Sequence, residues 1–174
     1  QRLLQDFPDT YFMVGQVNPF NEDMLQPNSI DLTLGRELKT INGKCIDLAQ
    51  DSYKIKPNEF LLGSTDERIS IPHDLVGHID GKSSIGRNFI LNHHTAGRGD
   101  DGFCGQWTLE IRTMYPTVVY PYMRIGQIYY EEFIGERKPY DKNKASHYNG
   151  QMGATAAAPV AVDWFLRDAV QKMK

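Results

Sequence analysis

The chain has 174 residues, of which 40% are hydrophobic and 24% are charged, and its formal net charge is −3. This length is that of one ordinary domain with its own core, and the composition is typical of a globular protein. The negative charge disfavours a nucleic-acid partner or a membrane surface, because both usually need an excess of Lys and Arg. Two cysteines far apart, Cys45 and Cys104, disfavour a disulfide framework. The apolar runs are too short to cross a membrane, and we expect a cytoplasmic protein.

The predicted elements begin with the end of a short helix over residues 1–7, which Pro8 stops. From residue 30 to residue 135, short runs rich in Ile, Val, Tyr, Phe and Thr are separated by Gly, Pro, Asn and Asp, a pattern typical of β-strands. From Trp107 to Arg112, apolar and polar residues alternate, which indicates a half-buried strand. Many short strands without a strand–helix repeat favour a barrel or sandwich.

One predicted helix interrupts the strands, around residues 83–90. After Tyr140 the chain becomes polar and rich in Gly and Ala, which predicts a mobile arm. The chain ends in an amphipathic stripe made by Phe165, Leu166, Ala169, Val170 and Met173, which predicts a helix that packs on its own barrel or on a partner. We therefore divide the chain into a domain over residues 1–153 and a C-terminal extension over residues 154–174.

The segment Gly81-Lys-Ser-Ser-Ile-Gly-Arg invites comparison with a phosphate-binding P-loop. That motif needs four residues between its first Gly and the Gly-Lys-Ser, whereas only three separate Gly77 from Gly81. A Gly-led turn into a helix still exposes backbone N–H groups that suit an anion. Ser83 and Arg87 are four residues apart and would share one side of a helical turn. The alternative is a helix cap followed by a surface arginine.

A second candidate segment runs from His93 to Phe103 and contains several glycines, which allow a ligand to approach the backbone closely. The adjacent His93 and His94 would point to opposite faces of a strand and would not chelate one metal together. The sequence contains no His-x-Glu and no Cys-x-x-Cys, so the chemistry of zinc-dependent cytidine deaminases is excluded and no protein metal site is expected. A polar β-turn is the alternative.

Glu110 lies in the middle of a predicted strand, where Glu is depleted. If its face is solvated the residue carries no function, but if its face lines a pocket it suits general acid–base chemistry. The arm over residues 140–151 contains His147, Tyr148 and Gln151, which could close over a ligand. The alternative is a loose tail.

The order of these motifs resembles the dCTP deaminase family of the dCTP deaminase/dUTPase superfamily, from about residue 26 to residue 153. The motifs are Gln26-Pro-Asn-Ser-Ile-Asp-Leu, Lys56-Pro-Asn-Glu-Phe, Gly63-Ser-Thr, Ile71-Pro, Gly81-Lys-Ser-Ser-Ile-Gly-Arg, His93, Thr95-Ala-Gly-Arg, Gly102-Phe, Gly105, Thr108-Leu-Glu, Ile125-Gly-Gln and Tyr148-Asn-Gly-Gln. The resemblance implies a mainly β fold, a distorted dUTPase-like β-barrel with few short helices, assembled as a homotrimer with active sites between subunits.

The implied chemistry is the hydrolytic, zinc-independent deamination of dCTP to dUTP and ammonia. By resemblance, Glu110 matches the catalytic glutamate, Ser83 helps to hold the water and the base, and Arg87 lies near the water and the phosphates. The substrate-binding residues implied are Lys82, Ser84, Ala96, Arg98, Asp100, Tyr140, His147 and Gln151. Asp100 matches the residue that contacts the deoxyribose 3′-hydroxyl. Mg²⁺ would be carried by the triphosphate and not by a protein cage.

Four positions depart from the family pattern, and one of them is Thr113, which replaces a common Asn after the strand that contains Glu110. His147 stands where Lys is usual, which replaces a permanent cation by a mostly neutral side chain. Gly99 and Asp101 flank Asp100 where Ile and Pro or Ala are usual, which predicts a looser turn with an added charge. Two alternatives follow: a bifunctional enzyme that converts dCTP to dUMP and pyrophosphate, and a non-catalytic nucleotide-binding trimer. Arg98 favours the monofunctional form, because bifunctional relatives tend to have an aromatic residue there, and a pure dUTPase is disfavoured because that branch lacks the strand glutamate.

Overall fold

The computed structural model describes residues 16–158, in which most regular structure is β. The strands are β1 (Val17–Asn18), β2 (Ile30–Thr33), β3 (Glu37–Thr40), β4 (Cys45–Asp47), β5 (Tyr53–Ile55), β6 (Phe60–Ser70), β7 (Leu75–Gly81), β8 (Ile90–Leu91), β9 (Arg98–Gly99), β10 (Cys104–Thr113), β11 (Thr117–Val119) and β12 (Arg124–Glu132). The helical turns are α1 (Ser83–Gly86) and two 3-10 helices, Glu22–Met24 and Tyr140–Lys142. The helices predicted over residues 1–7 and in the C-terminal stripe lie outside the described residues.

Two sheets dominate the fold and a two-stranded sheet completes it. The larger sheet has the order β4-β3-β6-β10-β8, and β1 also pairs with β6. The second sheet has the order β2-β12-β7-β9, and β11 pairs with β5. All of the pairings are antiparallel. The mainly β class and the distorted dUTPase-like barrel predicted from the sequence are confirmed.

The core consists of two hydrophobic clusters. One is built around Leu38, Leu61 and Ile111, and the other around Ile69 and Trp107. β10 contributes to both clusters, since its alternate residues from Gly105 to Thr113 are buried. This strand therefore holds its polar residues in fixed positions against a packed core. No helix among residues 16–158 has the length and apolar character needed to span a membrane.

Candidate active site

β10 forms one wall of the site because its side chains alternate between the core and a cavity. Leu109 and Ile111 are buried, whereas Thr108 and Glu110 line the cavity. The backbone N–H of Glu110 donates to the carbonyl of Asn92, 3.1 Å away. The predicted alternation is confirmed, and it directs the strand glutamate into a cavity and not into open solvent.

A cavity of about 510 Å³ lies beside β10. The predicted site residues that line it are Ala96, Arg98, Asp100, Glu110, Tyr140 and Gln151. They come from three parts of the chain: the loop and strand β9 before β10, β10 itself, and the arm after β12. Apolar side chains, among them Phe103 and Trp107, form much of the remaining lining. An apolar pocket with a few convergent polar groups is typical of a small-molecule site.

The Glu110 carboxylate is held by the loop between β8 and β9. Its Oε1 accepts a hydrogen bond from the Thr95 hydroxyl at 2.8 Å, and its Oε2 accepts one from the His94 backbone N–H at 3.0 Å. Each carboxylate oxygen retains further acceptor capacity. The carboxylate therefore keeps one orientation on the cavity wall while it can still accept a proton from a bound water.

Aromatic rings form a continuous chain along the cavity. Phe103 meets Trp107 edge to face with ring centroids 5.6 Å apart, and it meets Tyr140 in the same way at 5.8 Å. His93 contacts the Trp107 ring at 6.4 Å, also edge to face. This geometry is favourable for aromatic pairs. The chain of rings links the arm residue Tyr140 to the loop that holds Glu110.

Gly99 leaves the space that the Trp107 indole occupies. A Cβ atom at position 99 would clash with Cη2 of Trp107 and with Cδ1 of Ile71. Trp107 itself stands at a β-bulge, where the pairing of β10 with β6 shifts between Gln106 and Thr108. The indole therefore fills the volume that a side chain at position 99 would take, and the looser turn expected from Gly99 stays a prediction.

Asp101 adds a negative charge at a position where the family usually has Pro or Ala. Its carboxylate faces His73. The Oδ2 atom of Asp101 lies 3.9 Å from His73 Nδ1, and His73 Nε2 lies 3.6 Å from Asp141 Oδ2. The backbone N–H of Tyr140 donates to the carbonyl of Asp101 at 2.7 Å. The turn after Asp100 is thus joined to the first residues of the arm.

The arm after Tyr140 packs along β10. The N–H of Gln106 donates to the Gln151 carbonyl at 2.9 Å, and Gln151 Nε2 donates to the Gln106 carbonyl at 2.8 Å. The N–H of Tyr148 donates to the Tyr140 hydroxyl at 3.1 Å. The prediction of a mobile arm is corrected over residues 140–158, because β10 satisfies backbone groups that the sequence left without partners.

α1 places the other predicted catalytic residues outside this cavity. The N–H of Arg87 donates to the Ser83 carbonyl at 3.0 Å, which is the helical turn predicted from the sequence. Ser83, Ser84 and Arg87 are exposed, and none of them lines the cavity. The described chain therefore brings Glu110 together with the residues of β9 and the arm, but not with α1.

Two predicted binding residues also lie away from the cavity lining. The Lys82 ammonium lies 2.7 Å and 2.6 Å from the two carboxylate oxygens of Asp31. His147 is exposed, and its ring meets the Tyr148 ring edge to face at 6.3 Å. Their predicted roles at the substrate stay predictions.

Sequence reasoning missed several residues that shape the site. Thr95 precedes Ala96 in a quoted motif, yet no role was given to its hydroxyl. Trp107 was identified only as a buried position of the alternating strand, and no role beside the cavity was given to its indole. Residues 155–157 line the cavity although the tail after residue 153 was considered uninformative. Only long-range contacts show where this segment lies. For example, the Lys39 ammonium donates a hydrogen bond to the carbonyl of the neighbouring Ala154 at 2.7 Å.

The fold and cavity agree with comparisons to known proteins. A family model described as dCTP deaminase-like matches residues 13–133. A protein of Dictyoglomus thermophilum named "dCTP deaminase, dUMP-forming" is 40% identical over 157 residues, which cover 78% of this chain and 81% of that protein. A protein of Tropheryma whipplei with the same name is 36% identical over 82% of this chain and 83% of its own length.

A solved structure shares the fold. The 2′-deoxycytidine 5′-triphosphate deaminase from Agrobacterium tumefaciens superposes with a TM-score of 0.64 at 21% identity. The match covers 72% of this chain and 46% of that one, so the chain spans about half of the solved protein. Together, the family match and the relatives show that the chain belongs to the dCTP deaminase family. The resemblance found in the sequence is confirmed, and so is the enzyme class at the level of that family.

Proposed function

We propose that this chain deaminates dCTP by hydrolysis and continues to dUMP and pyrophosphate. The observation that carries the deaminase proposal is the Glu110 carboxylate, fixed on the cavity wall by Thr95 and the His94 N–H. The second step is supported by the dUMP-forming relatives at 36–40% identity. We therefore propose the bifunctional reaction, although Arg98 by itself favours the monofunctional one.

In the first step, Glu110 takes a proton from a water whose oxygen attacks C4 of the cytosine. The proton passes to the ring nitrogen N3, which leaves a hydroxyl group on C4. The proton of that hydroxyl then passes through Glu110 to the amino nitrogen, the bond between C4 and the amino nitrogen breaks as the C4 carbonyl forms, and ammonia leaves. Backbone at Ala96 and the Ser83 hydroxyl would hold the water and the base, in the roles that the family resemblance implies. Fixed hydrogen-bond donors stabilise the charge that develops at C4.

In the second step, a water attacks the α-phosphorus of the triphosphate, and the bond to the β,γ-pyrophosphate breaks to leave dUMP. Asp100 would contact the 3′-hydroxyl, while Arg98, Tyr140 and Gln151 line the same cavity and would hold the nucleotide. Arg98 supplies a permanent positive charge next to a polyanionic substrate.

Mg²⁺ fits this scheme as a partner of the substrate. Among residues 16–158, no group of three or more His, Cys, Asp or Glu side chains is placed to hold a metal ion. As the family resemblance implies, phosphate oxygens would be its ligands, and when bound it would neutralise negative charge on the triphosphate.

The complete site is proposed to need a second copy of the chain. Ser83 and Arg87 are exposed on α1 and lie outside the cavity that contains Glu110. A neighbouring α1 that meets this cavity in a homotrimer would bring the two sets together. In a ring of three identical subunits, the same contact would be repeated at each interface, so each cavity would receive α1 from a neighbour.

The test is product analysis of purified protein incubated with labelled dCTP, Mg²⁺ and an excess of unlabelled dUTP. If labelled dUMP and pyrophosphate form and the unlabelled dUTP does not dilute the label, the same enzyme carries out both steps without releasing dUTP. This outcome supports the bifunctional reaction. Label that accumulates in dUTP, with ammonia, restores the monofunctional deaminase. If dCTP stays intact, and if dUTP, dCDP and dCMP supplied in separate incubations are also unchanged, the chain is a non-catalytic nucleotide-binding trimer.

A further inference from the structure

Asp31 is a fully buried carboxylate that no step of the proposed chemistry uses. Its exposed fraction is 0%, and both of its oxygens are within 2.7 Å of the Lys82 ammonium. A buried charge is tolerated only when it is paired and hydrogen-bonded. The pairing therefore fixes the position of the long Lys82 side chain.

Further contacts make Asp31 a junction between separate parts of the chain. Its Oδ2 accepts from Gln26 Nε2 at 3.3 Å and lies 3.5 Å from Arg124 Nη1. Gln26 precedes β2, Asp31 lies within β2, and Arg124 begins β12. The carboxylate thus connects α1, through Lys82, to two paired strands of the second sheet.

Lys82 transmits this contact to α1 through its backbone. It is the N-cap of α1 and directly precedes Ser83. Its carbonyl accepts hydrogen bonds from the N–H groups of Ile85 and Gly86, both at 2.9 Å. A single residue therefore holds the core carboxylate with its side chain and the helical turn with its carbonyl.

We propose that Asp31 is a positioning residue that orients α1 through Lys82, so that Ser83 and Arg87 are presented in one geometry. This inference rests on the proposed function in one respect, since it assumes that Ser83 and Arg87 act at the site. It changes the role of Lys82 from a substrate-binding residue to a tether. The motif Gln26-Pro-Asn-Ser-Ile-Asp-Leu then has a physical purpose, because two of its residues build the junction.

Glu67 provides a matched control. It is 1% exposed, and Thr33 is its hydrogen-bond partner, through the backbone N–H and the hydroxyl. Burial raises the pKa of the Glu67 carboxyl, and the hydrogen bonds from Thr33 oppose that rise. Within residues 16–158, the Glu67 carboxylate is hydrogen-bonded to Thr33 and not to α1, and it does not line the cavity, so it tests burial of a carboxylate without the tether.

The experiment compares Asp31→Asn, Lys82→Met, the double variant and Glu67→Gln in the full-length protein. For each variant we would measure kcat and KM for dCTP, the melting temperature, and hydrogen exchange at the amides of Ile85, Gly86 and Arg87. The double variant is essential, because it leaves no unpaired buried charge and should fold even where a single variant does not.

Positioning predicts that Asp31→Asn and the double variant lower kcat about 100-fold, since a small misplacement of catalytic groups has that effect. KM should change less than kcat, and exchange at the α1 amides should rise. The double variant should recover the melting temperature but not kcat. Glu67→Gln should keep kcat and the slow exchange at α1.

Recovery of both melting temperature and kcat in the double variant would overturn the proposal, because the pair would then act on stability alone. A raised KM in Lys82→Met, with Asp31→Asn unchanged, would also overturn it in favour of direct phosphate binding. If the wild-type protein does not convert dCTP, the proposed function fails, and the exchange data still decide whether Asp31 anchors α1.

Discussion

The site residues on β10 and those on α1 differ in their surroundings within one chain. Glu110 points into a cavity whose walls come from β9, β10 and the arm, and two hydrogen bonds fix its carboxylate. Ser83 and Arg87 lie on a single helical turn at the surface, anchored from beneath through Lys82. The cavity side is therefore the finished side within one chain, whereas the α1 side would, under the proposed trimer, complete the site of a neighbouring subunit.

The largest expected effect is on the finished side. Glu110→Gln keeps the size of the side chain but removes the base and replaces one of its two acceptor oxygens by an amide donor, so we expect deamination to fall by about 100-fold to 10,000-fold. Nucleotide binding, measured by calorimetry with dCTP, should persist. Glu132→Gln, at the exposed end of β12, is the control. An unchanged rate in Glu110→Gln would remove this residue from its role.

The next prediction asks whether the two sides meet across a subunit boundary. Chains with Glu110→Gln and chains with Arg87→Ala should each be nearly inactive alone. After unfolding and refolding together in equal amounts, about a quarter of the sites should combine two intact halves, because identical interfaces form at random in a symmetric trimer. Recovered dCTP turnover measures this fraction.

The control for that mixture is Glu110→Gln combined with a chain that carries both substitutions. It should recover nothing, since no intact cavity is present. If the first mixture also stays inactive while both chains assemble normally, the site lies within one chain and the interfacial arrangement is wrong.

A third prediction compares packing in the two regions. Gly99→Ala puts a Cβ atom against the Trp107 indole, and we expect a loss of about 1–3 kcal/mol in the free energy of unfolding. Gly86→Ala on α1 meets open space and should change the free energy of unfolding by less than about 1 kcal/mol. Urea titration measures both. If the two substitutions change the free energy of unfolding equally, the indole can move to accommodate the added methyl group, and packing does not require Gly at position 99.

The smallest expected effect concerns His147 in the arm. His147→Lys restores a permanent cation near the proposed phosphate end, and an exposed charge pair of this kind gives at most about a fivefold gain in affinity. Titration with dCTP at low and high salt measures the gain, which should fall as salt screens the charge. Lys144→Met, three residues earlier in the arm, controls for nonspecific charge. A gain that is independent of salt would contradict the electrostatic explanation.

Local patterns in the sequence predicted much of this molecule. Alternation from Trp107 to Arg112 identified β10, and Gly81-Lys-Ser-Ser identified the turn that became α1. These patterns are short-range, since the period of a strand or a helix can be read from neighbouring residues. The order of motifs then identified the family, and with it six of the residues that line the cavity.

Tertiary structure decided what those residues contact. The sequence did not show that Thr95 holds Glu110, that Trp107 fills the space beside Gly99, or that Asp31 binds Lys82 across 51 positions. It also predicted a mobile arm where one backbone and one side-chain hydrogen bond join Gln151 to Gln106. The physical reason is the same in each case: such contacts depend on packing between segments far apart in the chain, and no local pattern records which partner fills a space or satisfies a buried charge.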